Sequence, residues 1–192
     1  MSEDPKIIKR IVELLNEQYL PYVKKAVLQL EVYSGEKSKR AVHELRDALD
    51  HIAIAVHKDT TEFLALKSLN AVEEHFRRAA VEPIEWIALR EIERLLKVKR
   101  KGFWWWRLLF VKPPDSKEFN ERILRGQELI AQGRYYKGIS LKDSYENLQK
   151  AYLIFHELLS TIRPEELMSR YFDLILALAM LVLGLILGKL FL

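Results

Sequence analysis

The chain has 192 residues, 31 basic against 27 acidic side chains, no cysteine, 7 glycines, 6 prolines and 49% hydrophobic residues. That length suits one compact domain with a short appendage. The absence of cysteine excludes disulfide scaffolds, thiolate zinc sites, iron–sulfur clusters and cysteine nucleophiles, and fits an intracellular address. Few glycines and prolines beside much Leu, Glu, Lys, Arg and Ala argue against a turn-rich β protein and against disorder, so the expected class is all-α.

Charge is unevenly spread. Residues 1–96 carry 15 basic and 17 acidic groups, residues 97–112 carry six basic and none acidic, and residues 113–192 carry ten of each. The whole basic excess therefore lies in one short segment.

The N-terminus, Met1-Ser2-Glu3-Asp4-Pro5, is acidic where an export signal needs a basic start and an apolar run. Asp4 and Pro5 open a helix through about Gln18, and Pro21 begins or kinks a second one that ends near Ser34-Gly35. From about Glu36 to Lys58, Val42, Leu45, Leu49, Ile52 and Val56 recur at spacings of three and four. Ala41, Ala48 and Ala55 lie alongside, so the pattern predicts an apolar stripe flanked by small residues for close packing.

Asp59 and Glu62 resemble a capping box for the next helix, whose face is Ala65, Leu69, Val72, Phe76 and Ala79. Pro83 starts a further helix carrying Trp86, Ile87 and Leu95. Asp115 with Glu118, and Ser140 with Asp143, are later start signals. The second precedes a helix face of Tyr145, Leu148, Tyr152, Phe155 and Leu159.

The last helix opens at Pro164 and is continuously apolar from Leu174 to Gly188, a rise of about 22 Å. Extended to Leu192 with the Lys189 stem snorkelling, it reaches about 28 Å and predicts a C-terminal single-pass transmembrane anchor over about 172–192. Arg163 and Arg170 on the domain side suit a cytoplasmic bulk. A helix buried in an oligomer, or re-entrant in one leaflet, is the alternative. Gly184 and Gly188 form a small-xxx-small pair that allows helix association in lipid.

Lys97, Lys99, Arg100 and Lys101 lead into Phe103, Trp104, Trp105, Trp106 and Arg107, with Lys112 before Pro113-Pro114. Three consecutive tryptophans cannot all face one helical core. Trp with Lys and Arg suits a lipid headgroup boundary, anionic lipid in particular, while stacking on nucleic acid or a plain partly buried segment are the competing readings. The expected organisation is a helical bundle over 1–96, an interface segment over 97–114, a helical hairpin over 115–162 and the C-terminal helix over 163–192.

The polar stretch Ala41–Ile52 places His43 and Asp47, Arg46 and Asp50, and Asp47 and His51 four residues apart, within pairing reach. Arg46 and His51 project about 140° from one another on an ideal helix, so they meet on one substrate only across a bent helix, a partner helix or a dimer. Glu73-Glu74-His75-Phe76-Arg77-Arg78 is a second polar patch that can lie beside the first, with His75 or Arg78 able to complete a phosphate site. A salt-bridged solvated face is the plainer reading of both.

An arginine, a polar residue and a histidine a few positions on, here Arg46, Asp47 and His51, resemble the motif of the HEPN family of helical-bundle proteins. The resemblance implies metal-independent RNA cleavage in a dimeric site, the arginine binding phosphate and the histidine aiding proton transfer or orientation. Similar motifs occur in membrane-embedded accessory proteins of CRISPR systems, which implies prokaryotic defence. No metal site, cofactor loop or hydrolase elbow is found. The favoured expectation is a tail-anchored, self-associating interaction or effector module, non-enzymatic, whose partners are the bilayer, further copies of itself and an unidentified protein. The alternatives are a HEPN-like ribonuclease acting on RNA and an oligomer that perturbs membranes.

Overall fold

The computed structural model describes residues 5–36, 38–108, 116–162 and 164–190; of these, the side chains at 100–108, 116, 164–168, 171 and 184–190 lie outside the description. The described chain is an all-α bundle. In order it forms α1 (Pro5–Leu14), a π-helical stretch (Leu15–Val23), α2 (Lys24–Ser34), α3 (Lys39–Ala55), α4 (Glu62–Leu108), α5 (Ser116–Tyr136), α6 (Leu141–Ile162) and α7 (Pro164–Leu190).

Pro21 does not start a new helix. It lies inside the π-helical stretch, where the wider i→i+5 register joins α1 and α2 into one run. That run stops at Gly35, whose φ of 71° is the left-handed C-cap expected near Ser34-Gly35. Ser38 then caps α3 by accepting from the Ala41 N–H at 3.2 Å.

Asp59 does not cap α4. The hydroxyl of Thr61 accepts from the Leu64 N–H at 3.4 Å instead, and the helix starts at Glu62. α4 also runs straight through Pro83, the residue expected to start a new helix. A mid-helix proline costs about 3 kcal/mol. Here Val81, Ile84, Ile87 and Ala88 are wholly buried around it, and their packing outweighs that cost.

α4 is the spine. Its N-terminal half carries the expected face, Ala65, Leu69, Val72, Phe76 and Ala79, into a core with Ile7 and Leu14 of α1 and with α3. Its C-terminal half, from Val81 to Leu95, builds a second core with Ala26 and Leu30 of α2 and with α5 and α6. The α6 face expected at Tyr145, Leu148, Phe155 and Leu159 is buried in that core, with Tyr152 against its edge. Ser140 caps α6 as expected, accepting from the Asp143 N–H at 3.3 Å.

In α3 the two apolar rows exchange roles. Ala41, Ala48 and Ala55 are 2%, 1% and 0% exposed, whereas Val42 and Leu49 of the larger row are 51% and 64% exposed. Small side chains let α3 settle closely on α4, and that approach turns the bulkier row aside.

The C-terminal transmembrane helix is corrected by the structure. Among the described residues, no helix is long and apolar enough to cross a membrane. The unbroken apolar side chains described in α7 run from Leu174 to Leu183. Arg170 and Asp173 bound them on one side.

Candidate functional site

The close seating of α3 on α4 brings two polar patches together. His75 and Arg78 of α4 face Glu44 and His51 of α3, so the second patch does lie beside the first. His75 Nδ1 stands 2.8 Å from Glu44 Oε2, with both side chains largely buried. Arg78 Nη2 is 3.0 Å from the same His75 nitrogen, and Arg78 Nε is 3.0 Å from the same Glu44 oxygen. A ring nitrogen serves one partner at a time. Beside a carboxylate oxygen at this distance Nδ1 must carry the proton and donate, so the Arg78 contact is charge proximity and Glu44 is the shared anion.

His51 stacks on His75 with ring centroids 5.3 Å apart and 27° between planes. Its Nδ1 is shut off from solvent and has no hydrogen-bond partner among the described residues. Arg46 is directed elsewhere. Its Nη2 and Nε lie 3.0 and 3.2 Å from Asp47 Oδ1, and both side chains are substantially exposed. The hydrogen bond from Arg46 holds the Asp47 carboxyl below its ordinary range against some desolvation, with the nearby charges of Arg46, His75 and His43 adding to it.

Of the three residues singled out by the motif, the structure therefore joins Arg46 to Asp47 and separately joins His51 to His75; it does not bring Arg46 and His51 onto one point. An Arg46–Asp47 pair between adjacent residues is seen where i,i+4 pairing was expected. Beside this cluster a cleft of about 230 Å³ is lined by Glu44 and Arg78 together with Ser38, Arg40, Glu82 and Trp86. Arg40 Nε closes on Glu82 Oε2 at 2.7 Å, and Arg90 lies 5.2 Å over the Trp86 ring.

Two features escaped the sequence. Glu44 has no part in the pairs expected along α3, yet it is the hub of the cluster. Glu91 is 0% exposed, with Oε1 3.2 Å from Arg94 Nη1 and Oε2 without a partner among the described residues. The signal for Glu91 was present: it falls on the apolar row of Ile84, Ile87, Ala88 and Leu95, where a carboxylate is out of place. Tyr33 lies against this pair, and burial first, then its hydrogen bond with Glu91, raises the phenol above its ordinary value.

Among the described residues no group of three or more His, Cys, Asp or Glu can hold a metal ion. Of the basic segment, Lys97 pairs with Glu93 at 2.7 Å and Lys99 bonds Asn120 Oδ1 at 2.7 Å, so both are tied to the bundle. The side chains of Arg100, Lys101, Phe103, Trp104, Trp105, Trp106 and Arg107, and all of Lys112, lie outside the described residues, although the α4 backbone continues to Leu108. The side-chain surroundings of Gly184 and Gly188 lie outside them too.

No family model matches the chain, and comparison with curated proteins and with solved structures returns no similar protein.

Proposed function

We propose that the chain is a non-enzymatic, self-associating interaction module that works at a lipid surface, with the bundle as platform and α7 as the element that meets lipid. The observation that carries this reading is the apolar collar of α7. From Ile175 to Leu183 every side chain is exposed, and nine consecutive residues point in all directions around a helix. One protein groove covers one face only; acyl chains cover all of them. Such a collar suits contact with acyl chains at the lipid boundary.

Flotation tests the reading. Full-length protein is expected to float with vesicles of phosphatidylcholine and phosphatidylglycerol, whereas a Leu176→Glu, Leu181→Glu variant of equal helicity stays behind. Flotation that survives the double substitution, or is absent from the parent, overturns the role of α7.

A second reading, RNA cleavage of the HEPN type, draws on one observation. His75 and Glu44 form an imidazole–carboxylate pair beside Arg78, with His51 stacked on it, and such a pair is able to move a proton. In that reading Arg46 holds phosphate and His51 orients or relays. Cleavage of RNA by the parent, lost in both Arg46→Ala and His51→Ala variants of unchanged melting temperature, is the expected result; an inert parent ends it.

A further inference from the structure

The bulkier row of α3 has the spacing of a coiled-coil seam. Val42, Leu49 and Val56 repeat every seven residues, and Leu45 and Ile52 fall between them, which is the a and d pattern of two heptads. Ala41, Ala48 and Ala55 form the adjacent row, and it is this one that is buried on α4. Leu45 and Ile52 lean on the edge of the N-terminal core, but Val42 and Leu49 stand out in solvent. These knobs have no holes among the described residues.

We propose that this seam is where two copies of the chain pair, α3 against α3 and antiparallel about Leu49. The proposal rests on the self-associating module described above and names its interface. Self-complementarity picks a second copy as the occupant. Read from either end, the row is valine, a long aliphatic residue, leucine, a long aliphatic residue, valine. A two-fold axis at Leu49 sets Leu49 beside Leu49 and Val42 beside Val56 of the other copy, with Leu45 and Ile52 about 1.5 Å out of level, so each apolar residue has one of like size in reach.

Charge agrees with this register. Arg46 and Asp50 border the row on one flank, and an antiparallel two-fold pair brings like flanks together. Arg46 of each copy then faces Asp50 of the other with an axial offset of about 3 Å, well inside the reach of an arginine. Asp50 is exposed, and among the described residues Arg46 is engaged with its neighbour Asp47 alone, in an exposed contact that costs little to exchange. A parallel pair instead sets the Arg46 flank of each copy beside the alanine flank of the other, which α4 already covers, and gains no such ion pair.

The chain has no cysteine, so one introduced thiol reports the contact without background. In the full-length protein, in detergent and on vesicles, Leu49→Cys is expected to cross-link into a dimer on mild oxidation, while Lys150→Cys on the exposed side of α6 does not. Leu49→Glu is expected to weaken dimerisation more than tenfold, by placing a charge at the centre of the seam. Arg46→Asp weakens it as well, and adding Asp50→Arg restores it. Helicity and melting of each variant are compared with the parent, and the exposure of Leu49 makes them equal. If the parent associates but Leu49→Cys stays monomeric and Leu49→Glu changes nothing, the α3 seam is overturned while self-association stands. If the parent is monomeric throughout, both fall.

Discussion

Glu91 occupies a place that the rhythm of α4 reserves for an aliphatic side chain, and among the described residues its carboxylate is met by Arg94 and the Tyr33 hydroxyl. A buried charge is stabilised by its partners more than it stabilises the fold. Arg94→Ala is therefore expected to cost about 1–2 kcal/mol, since Arg94 is half exposed, whereas Glu91→Met is expected to be neutral or stabilising. Urea melts of the two variants check the contrast. Tyr145 gives a pH prediction of opposite origin. Burial raises its phenol above the ordinary value of about 10, with the neighbouring Tyr22 adding to the rise. The folded chain thus keeps the proton after the unfolded chain has released it, so stability is intact below pH of about 10 and falls as pH climbs beyond it. Tyr145→Phe should flatten that alkaline limb in melts taken between pH 9 and 11. At the scale of single residues the sequence showed which groups carry charge. It did not show that Glu44 would reach His75 on another helix, because spacing along α3 reports only pairs on that helix.

At the scale of elements, α5 and α6 pack closely. A Cβ added at Gly126 would lie 2.3 Å from Phe155 Cε1, and one at Gly133 would lie 2.6 Å from Leu148 Cγ. The Ser144 hydroxyl donates to the Gly133 carbonyl at 2.7 Å, a contact that only such an approach permits. Alanine normally improves a helix interior by about 1 kcal/mol over glycine. Here the Phe155 ring is wholly buried and has no room to retreat, so Gly126→Ala is expected to lower stability by about 1–2 kcal/mol net. Thermal melts of Gly126→Ala beside a Gly138→Ala control, where no atom stands within 4 Å, test the sign. The apolar faces of α4 and α6 were legible because each helix has one dominant row. α3 has two, and periodicity alone does not say which is used. Close approach favoured the alanines, a choice made by the partner helix and not by α3.

Over the whole molecule, α4 joins two cores that meet near Ala80 and Val81, each completed by different helices. Sequence reading divided this helix at Pro83 and again at Lys97, since proline and a change of composition are the usual marks of a boundary. Neither mark ended the helix, because burial on both sides of Pro83 outweighs the cost of the proline. The all-α class was legible throughout, while the membrane-spanning end was not sustained. The length of α4 has a consequence for how the bundle is held in space. From His75 to Trp104 the helix rises about 44 Å. α4 thus acts as a strut that holds the histidine pair at a set distance from its tryptophan-rich end, so shortening this helix by two turns would draw the two about 10 Å closer.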